Sequence, residues 1–412
     1  GADGKLAPAS WDEALAAVAS KLGDIDGSKV AAVAGDQCDA ESMFALKLLM
    51  EGLGSPNMDC RQDGAALDGN GARAGYIFNS GFAGIEDADA LLIVGSNPRI
   101  EAPVVNARIR KRWLRGEFPV AVIGQQADLT YEYDYLGAGP QTLKEIADGK
   151  HAFAKVLQKA ERPMIILGMG ALARTDGAAV LAAARKVAED TGVAGKDRNG
   201  FNILHTASAR VGGLDLGFVP GEGGRDVAGI MEGAEKGEVE AVYLLAADEI
   251  DMNRLGKAFV VYQGHHGDMG AHRADVILPG AAYTEKSGIW INSEGRVQRG
   301  QRAAFPPGEA KEDWTILRAL SGVMGKTLPF DTLTALRERM AQAYPVFATL
   351  DDFVPAEWGA FGAAHGSLGE GGFVPTIANF YMTCPISRAS QTMAECTAVF
   401  VNGGKEATGT DG

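Results

Sequence analysis

The sequence is poor in cysteine, in positive charge and in long apolar runs. Its 412 residues include four cysteines, 39 basic and 53 acidic side chains, and the formal net charge is −14. Cysteines this few and this scattered exclude a disulfide framework and favour a reducing compartment. The acidic balance argues against a nucleic-acid partner, which would require a basic stripe. No run reaches the roughly 18 apolar residues of a membrane span, so we expect no direct membrane insertion.

Several motifs that carry chemistry are also missing. The sequence contains no P-loop of the form GxxxxGK[ST] and no GxSxG nucleophile elbow. Its cysteines show no CxxC-type grouping, so we expect no iron–sulfur cluster in this portion. The N-terminus is polar and shows no secretory signal. It also lacks an initiator methionine, and we expect the chain to be a fragment or a processed product.

The remaining sequence alternates short apolar runs with segments of helical periodicity. Apolar residues make up 46% of the sequence, which is ample for sizeable cores. Several of the runs are continuously apolar, which is typical of parallel strands covered on both faces. We therefore predict an α/β fold with doubly wound, mainly parallel sheets. The predicted strands lie near 29–34, 90–94, 119–123, 164–167, 201–204, 241–245, 259–262 and 276–278. The predicted helices lie near 11–22, 39–53, 101–115, 142–159, 176–191, 226–236, 312–324 and 332–343.

The most informative stretch runs from Ala274 to Gln298. An apolar strand at 276–278 ends at Pro279-Gly280 and leads into a polar loop that contains Glu285. Polar loops at the carboxyl ends of strands are where α/β sheets bind their ligands. Glu285 is therefore a candidate site residue.

Gly168 to Ala173 is similar to the dinucleotide-binding fingerprint GxGxxA. In that motif the pyrophosphate binds at a helix N-terminus. Here the helix is predicted to begin only near Asp176, which would leave Gly168 and Gly170 away from the amide-rich helix end. A tight turn after a strand therefore explains these glycines better than NAD binding does.

Two further clusters have both a functional and an ordinary interpretation. His265, His266, Asp268 and His272 carry metal-ligand chemistry, but no spaced HxxxH pair is present. Polar loop histidines are the favoured interpretation. The basic run over 108–115 is either a docking face for an acidic partner or a solvated helix face, and the solvated face is favoured.

Several segments, in the same order, resemble the molybdopterin-dependent oxidoreductase family. These segments are 10–14, 88–98, 168–170, 274–298 and 306–314. Within that family, the chain resembles the branch formed by the large iron–sulfur subunit of respiratory complex I. This finer resemblance is carried by 265–268, 279–286 and the tail segment 381–396.

The resemblance places Asp63 at the position of the metal ligand in catalytic family members. Some members use aspartate there, so this residue alone leaves a metal open. Catalytic members also end in a β-rich domain that clamps one pterin, and no run of alternating strands follows residue 325 here. The complex I branch implies the fold without the cofactor. We expect no catalytic, cofactor-binding or metal-ligating residue in this portion, with Asp63, Gly168, Gly170 and Glu285 as remnants of a cleft.

The same resemblance implies a domain organisation and a role. Residues 1–62 with 226–325 would form a first α/β domain, 63–225 a second, and 326–412 a C-terminal helix and extended docking tail. The implied role is a non-catalytic scaffold that binds other peripheral-arm subunits of complex I. It would lie at the cytoplasmic face of the bacterial inner membrane or on the mitochondrial matrix side. The 2Fe-2S and 4Fe-4S clusters that carry electrons from NADH towards quinone are expected in the N-terminal part of the full subunit.

Three alternatives stay open at this point. The chain could be a fragment of an active molybdopterin enzyme similar to formate dehydrogenase. It could bind NAD through Gly168 to Ala173. It could also retain a small ligand, such as an anion, in a former cofactor cleft near Asp63, Gly168 and Glu285.

Overall fold

The computed structural model describes residues 4–195, 198–361 and 366–403 of the chain. Its strands are β1 (Val30–Ala34), β2 (Asn57–Asp59), β3 (Ala90–Val94), β4 (Val120–Ile123), β5 (Asp134–Gly137), β6 (Pro163–Gly168), β7 (Phe201–Leu204), β8 (Ala241–Leu245), β9 (Phe259–Gly264), β10 (Val276–Pro279), β11 (Gly288–Ile291) and β12 (Val297–Gly300).

The α-helices connect these strands and continue into the C-terminal part. They are α1 (Trp11–Gly23), α2 (Ala40–Leu53), α3 (Pro98–Glu101), α4 (Pro103–Trp113), α5 (Pro140–Ala147), α6 (Ala152–Lys159), α7 (Met169–Leu172), α8 (Gly177–Asp190), α9 (Arg210–Asp215), α10 (Val227–Lys236), α11 (Met269–Arg273), α12 (Asp313–Val323), α13 (Leu333–Ala343), α14 (Pro385–Arg388) and α15 (Gln391–Cys396). Short 3-10 turns lie at Gly27–Lys29, Arg73–Gly75, Ala83–Asp87, Met252–Leu255 and Pro345–Ala348, and a π turn lies at Thr397–Val401.

Ten of the strands form two parallel five-stranded sheets. The first sheet has the order β10-β9-β8-β1-β2, and the second has the order β5-β4-β3-β6-β7. Every pairing within them is parallel. The central strands β1, β3, β6 and β8 are buried along their whole length. The prediction of doubly wound, mainly parallel sheets from continuous apolar runs is therefore confirmed.

The first sheet joins strands from two distant parts of the chain. β1 pairs with β8 in a register that sets Val33 opposite Leu244, although the two strands are some two hundred residues apart in sequence. The second sheet uses only strands between 90 and 204. We propose on this basis the division into 1–62 with 226–325 and 63–225. The tail predicted over 326–412 lies partly outside the described residues.

Local sequence signals determine where the helices begin and end. Ser10 caps α1 and forms a reciprocal capping box with Glu13, which fits the Ser-x-x-Glu spacing in the sequence. Gly54 ends α2 with a φ of +77°, a left-handed conformation in which glycine avoids the strain that a Cβ would introduce. α12 and α13 pack on α2, so the helical layer beside the first sheet includes the segment after residue 312.

The structure corrects several predicted elements. The helix predicted over 101–115 is observed as α4, and an additional short helix, α3, precedes it. Pro103 has no amide proton, so α3 does not continue into α4. The helix predicted over 142–159 is divided into α5 and α6, with Gly149 in the left-handed region between them. The sequence reasoning also missed β5, a short edge strand whose side chains are exposed or half-buried.

Candidate functional site

The carboxyl ends of the two sheets meet at a buried junction of polar side chains. Asp36 follows β1, Asp63 follows β2, and Arg210 begins α9 after β7. Gly35 makes the close approach at β1 feasible, because a Cβ on it would lie 1.7 Å from the carbonyl oxygen of Ala246. The backbone amide of Ala209 donates to the carbonyl oxygen of Asp36 at 2.9 Å, so the loop after β7 is held against the end of β1. We call Asp36, Asp63 and Arg210, with Gln62 and His205, the Arg210 junction.

Asp63, the residue at the predicted metal-ligand position, is paired with a cation of the protein itself. Its Oδ1 atom lies 3.0 Å from Nη2 of Arg210, whose side chain is only 2% exposed. A second carboxylate, that of Asp36, has its Oδ1 atom 4.0 Å from the same nitrogen. Burial opposes the charge of Arg210, but the two carboxylates outweigh this effect and raise the pKa of the guanidinium above its ordinary value. The junction therefore contains a permanent internal positive charge.

Arg210 also reaches the glycine loop after β6. Its Nη1 atom lies 3.9 Å from the sulfur of Met169, which stands between Gly168 and Gly170. The structure thus brings Asp63 close to the loop of Gly168 and Gly170. The thiol of Cys60 is buried near Gly213, and burial raises its pKa to about 12.

Several buried atoms of this region have no hydrogen-bond partner within the described part of the chain. They are Asp36 Oδ1, Gln37 Oε1, Gln62 Nε2, His205 Nδ1 and Arg210 Nε. Buried polar atoms in proteins are generally satisfied by a partner or by internal water. A small polar ligand at this position stays a prediction.

The predicted helix start near Asp176 agrees with the structure, but a short helix directly after Gly168 was not predicted. A short helix, α7, begins directly at Met169, and the long helix α8 begins at Gly177. The space beside the two glycines is already filled. A Cβ on Gly170 would lie 2.4 Å from the carbonyl oxygen of Val374, and one on Gly168 would lie 2.5 Å from Cβ of Ser96. Val374 belongs to the C-terminal tail, so the tail covers this loop.

The tail segment around 371–374 lies along the carboxyl ends of the second sheet. Phe373 is buried, its amide donates to the carbonyl oxygen of Ala138 at 2.7 Å, and Arg174 stacks over its ring at 5.3 Å. Arg174 also donates to the carbonyl oxygen of Gly372 at 2.9 Å. A Cβ on Gly139 would lie 2.9 Å from the carbonyl oxygen of Gly371. The chain's own backbone therefore occupies the edge where doubly wound sheets bind ligands.

Farther along, Arg388 fastens the tail to the first sheet. Its guanidinium lies 2.7 Å from Oε1 of Glu249 and 2.6 Å from Oδ2 of Asp268. Asp268 also caps α11 by accepting the amide of Met269. Asp268, one of the predicted metal-type residues, is thus used in a structural ion pair.

Two of the three histidines in the 265–272 cluster pack on each other. Nδ1 of His265 lies 2.6 Å from Nδ1 of His266, while His272 is exposed. Burial and the nearby Lys286 lower the pKa of His265 to about 4, which keeps it neutral. No group of three or more histidine, cysteine, aspartate or glutamate side chains suited to a metal occurs among the described residues.

Glu285 does not reach the Arg210 junction. Its Oε2 atom accepts the backbone amide of Ala282 at 2.9 Å and so stabilises its own turn. Its neighbour Lys286 is the buried residue of this loop. Nζ of Lys286 lies 2.7 Å from Oδ2 of Asp39 and 2.5 Å from Oδ2 of Asp313. Burial opposes the ammonium charge, but Asp313 and Asp39 raise the pKa of Lys286 above its ordinary value.

The Lys286 triad of Lys286, Asp39 and Asp313 is fixed by further hydrogen bonds. Asp39 caps α2 by accepting from the amide of Ser42, and Asp313 accepts from Nε2 of Gln263 at 2.9 Å. The cavity beside Lys286 has a volume of about 10 Å³ and is bordered by Cys38 and His265. This volume suffices for about one water molecule.

Sequence reasoning missed Arg210 and the pairing of Lys286. Arg210 was detectable in principle, because it is a single arginine between small and apolar residues in the segment 206–214. Its partner Asp63 lies far away in sequence, and only the packing of the two sheets brings them together. Lys286 lies in the loop that the sequence already singles out, but the sequence marks Asp39 only as the start of a helix.

The basic run around α4 makes its contacts within the chain, although three of its cations share a single carboxylate. Glu86 lies 2.7 Å from both Arg108 and Lys111, and 3.1 Å from Arg115. Arg112 donates to the carbonyl oxygen of Ala88 and stacks over the ring of Phe118 at 4.6 Å. These contacts agree with a solvated helix face.

Comparison with known families gives two matches. Residues 1–323 match the family model described as molybdopterin oxidoreductase. Residues 354–396 match the model for the C-terminal region of the NADH-ubiquinone oxidoreductase G subunit.

Curated relatives agree with both matches. The chain is 43% identical over 402 residues to the mitochondrial NADH dehydrogenase (ubiquinone) iron-sulfur protein 1 of Solanum tuberosum, covering 97% of the chain and 53% of that protein. It is 41% identical to the NADH-quinone oxidoreductase G subunit of Rickettsia felis, covering 96% of the chain and 57% of that protein. The chain therefore spans little more than half the length of these relatives.

Solved structures show the fold alone. The formyltransferase/hydrolase complex of Methylorubrum extorquens, solved with methylofuran, superposes with a TM-score of 0.57 at 20% identity, covering 78% of this chain and 98% of that one. Acetylene hydratase from Pelobacter acetylenicus superposes with a TM-score of 0.51 at 16% identity, covering 78% of this chain and 60% of that one.

The Lys286 triad leads to a stability prediction. Lys286→Met leaves two buried carboxylates without their cation, and we expect a loss of about 3–5 kcal/mol in the free energy of unfolding. Adding Asp39→Asn and Asp313→Asn removes those charges and should restore part of the loss. Urea denaturation measures both variants, and Lys236→Met on the surface is the control. Equal stability of Lys286→Met and the wild type would refute the assignment.

His205 leads to a prediction for the pH dependence of stability. Burial, aided by Arg210, lowers its pKa to about 4 from an ordinary value of 6.5, while Tyr76 opposes the shift. Between pH 6.5 and 4 the folded protein therefore binds fewer protons than the unfolded chain. The contribution of His205 to the free energy of unfolding is complete above pH 6.5 and is lost as the pH falls towards 4. At about 1.4 kcal/mol per pKa unit, the loss approaches ~3 kcal/mol.

His205→Gln keeps a donor for the carbonyl oxygen of Tyr76, which lies 2.5 Å from Nε2 of His205. We expect this variant to lose less stability than the wild type between pH 6.5 and 4 in thermal melts. The exposed His272→Gln should follow the wild-type curve. Parallel curves for all three proteins would contradict the role of His205.

Proposed function

The chain belongs to the molybdopterin oxidoreductase family and is homologous to the G subunit of NADH-quinone oxidoreductase, and from this premise we propose that it is a non-catalytic scaffold of respiratory complex I. In this proposal the chain binds other subunits of the peripheral arm and holds the electron-carrying parts in position. It takes no part in the chemistry that moves electrons from NADH to quinone. Fold and function separate in this way when the site is altered and the scaffold is kept.

The observation that carries the proposal is the ion pair between Asp63 and the buried Arg210. A carboxylate at the ligand position of a metal centre must offer its lone pairs and its negative charge to the metal. Here one oxygen lies 3.0 Å from a guanidinium that cannot lose its proton. A metal cation beside Asp63 would be repelled by that fixed charge. The side chains present therefore do not fit a molybdenum or tungsten centre.

The covered strand ends of the second sheet support the same conclusion for the pterin. Val374 and Gly371 approach the glycines after β6 and β5 with backbone oxygens. A pterin pyrophosphate needs such backbone amides to be accessible. The tail would have to leave before a cofactor could bind, and buried Phe373 opposes its departure. An active enzyme similar to formate dehydrogenase is the weaker candidate for these reasons.

We also propose where the iron–sulfur clusters lie and how the chain is attached to the membrane arm. The four cysteines are free, and Cys38 and Cys60 are buried singly. We propose that 2Fe-2S and 4Fe-4S clusters belong to the part of the longer relatives that this chain does not span. Among the described residues, no helix has the length and apolarity to cross a membrane. We propose that attachment to the membrane arm occurs through partner subunits, on the cytoplasmic face or the mitochondrial matrix side.

Substitution of Asp63 in the complete subunit tests this function. Asp63→Asn should leave the NADH:quinone turnover per assembled complex unchanged, because Asp63 touches no reacting atom in this account. Arg210→Met should reduce the amount of assembled complex, because it leaves Asp63 and Asp36 without their cation. Turnover is normalised to the complex content measured on native gels. A fall in turnover of the Asp63→Asn complex with assembly intact would refute the scaffold role.

A further inference from the structure

A groove lies along the outer edge of β10, the last strand of the first sheet. It has a volume of about 690 Å³ and is bordered by β10, by the first described residues of the chain and by helix α1. Ala14 and Ala17 of α1 line it, and their small side chains leave room between the helix and the strand. Trp11 also lines it and is held in place, because its Nε1 atom donates to the carbonyl oxygen of Glu309 at 3.1 Å. None of the described residues that line the groove belongs to the Arg210 junction.

β10 presents an open edge to this groove. It pairs with β9 on one side, and no described strand pairs with it on the other. The amide of Asp275 donates to the carbonyl oxygen of Val260 in β9 at 2.8 Å. The carbonyl oxygen of Ala274 belongs to the same trans peptide, so it points away from β9, towards the groove. Ile277 lines the groove with a side chain that is 37% exposed, so the edge also offers an apolar contact.

The chain itself already uses this edge at one point. The amide of Gly280 donates to the carbonyl oxygen of Gly264 in β9 at 2.8 Å, so the carbonyl oxygen of Pro279 points to the outer side. There it accepts the amide of Lys311 at 3.1 Å, and Gly280 and Lys311 form a parallel bridge. No described strand continues this pairing along the rest of β10. The edge is therefore able to accept backbone hydrogen bonds, but the described chain supplies them only at its carboxyl end.

The other ends of the two sheets are protected. Beside β2, the amide of Cys60 donates to the carbonyl oxygen of Phe218 at 3.0 Å, and in β7 the amide of Ile203 donates to that of Ile77 at 3.1 Å. β5 has exposed or half-buried side chains, and its register on β4 shifts. β10, by contrast, consists of apolar residues in a regular register. An apolar, regular edge strand is a template for an added strand unless another segment covers it.

The longer relatives indicate which segment covers it. This chain spans 53% and 57% of the two curated relatives, and residues 354–396 match the model for the C-terminal region of the G subunit. We therefore expect most of the part that this chain does not span to precede residue 1. Residues 4–10 form one wall of the groove. A segment that precedes residue 1 in the complete subunit would reach β10 without a long connection, and a short tether gives it a high effective concentration there.

We propose that an extended segment of the complete subunit, from the part that precedes residue 1, adds to β10 as a further strand. In strand addition the backbone hydrogen bonds provide affinity, and alternate side chains provide specificity. Apolar side chains of the added segment would contact Ile277 and also Leu6, which lines the groove and is 54% exposed. The inference rests on the proposed scaffold role, because it states where the scaffold holds the part that carries the iron–sulfur clusters.

Cross-linking within the complex that contains the complete subunit tests the added strand. A photo-reactive benzoylphenylalanine replaces Ile277 in the groove, and a second complex carries it at exposed Leu114, beside α4. After irradiation, mass spectrometry locates the attachment. We expect the Ile277 position to join one segment that precedes residue 1 in the same polypeptide, whereas Leu114 should not join that segment. Attachment of the Ile277 position to another subunit, attachment only within residues 4–403, or no attachment would overturn the proposal.

Ile277→Lys is the matched variant, with the photo-reactive residue moved to Leu6. A charge on an edge strand discourages strand addition, and the apolar contact of Ile277 is lost. We expect the Leu6 cross-link to the preceding segment to fall about tenfold. Ile277→Val keeps the apolar edge and should retain the cross-link, and Val104→Lys at an exposed position of α4 is the control for the added charge. An unchanged cross-link in Ile277→Lys, with the complex assembled on native gels, would also refute the added strand.

The two proposals fail in different ways. If Asp63→Asn lowers the turnover of the assembled complex while the Ile277 cross-link forms, the scaffold role fails and the added strand stands. If Asp63→Asn turns over normally while the Ile277 position forms no such cross-link, only the added strand fails.

Discussion

The buried guanidinium of Arg210 is the constraint on which the rest of the candidate site depends. A guanidinium whose side chain is only 2% exposed requires carboxylates close by. Asp63 and Asp36 provide them from the first sheet, whereas Arg210 follows β7 of the second sheet. This pairing ties the loop after β7 to the ends of β1 and β2. It also fixes Met169, and with it the glycine loop after β6. The position that the family resemblance assigns to a metal ligand is therefore part of the internal packing.

The same principle applies elsewhere along the carboxyl ends of the first sheet. Lys286 comes from a loop that resembles a cofactor-binding loop, yet its ammonium group lies between Asp39 and Asp313. Two buried cations from the protein thus neutralise carboxylates at the carboxyl ends of strands. Replacing one partner of such a group is strongly destabilising, whereas the intact group adds little net stability. We infer that these charges preserve the arrangement of the strand ends in the proposed scaffold.

The sequence predicts the local elements better than the long-range contacts. Apolar runs such as Ala90–Val94 predict buried parallel strands, and Ser10 with Glu13 predicts the start of α1, because these signals act within a few residues. The sequence pattern does not predict β5, because its side chains are exposed or half-buried. It does not predict α9 either, because two glycines interrupt a six-residue helix. Asp63 was recognised through family resemblance. Its partner Arg210 could not be identified from the sequence, because the contact between the two residues follows only from how the sheets pack.

The tail illustrates the same limit. Its Gly- and Pro-rich sequence has little periodicity, so the sequence predicts an extended segment but not its path. The path is set by single anchors, namely Phe361 against Gly75, Phe373 under Arg174, and Arg388 beside Glu249. Isolated anchors of this kind leave no repeating pattern in the sequence. They nevertheless determine that the strand ends of the second sheet are covered by the chain itself.

The central claim is that Arg210 and the tail have replaced the cofactor of the family. Elemental analysis of the purified full-length protein, produced with molybdate and tungstate in the medium, tests it most directly. The account predicts iron from the clusters of the full subunit and only trace molybdenum or tungsten. One molybdenum or tungsten atom per polypeptide, retained through gel filtration and lost in Asp63→Asn, would contradict it.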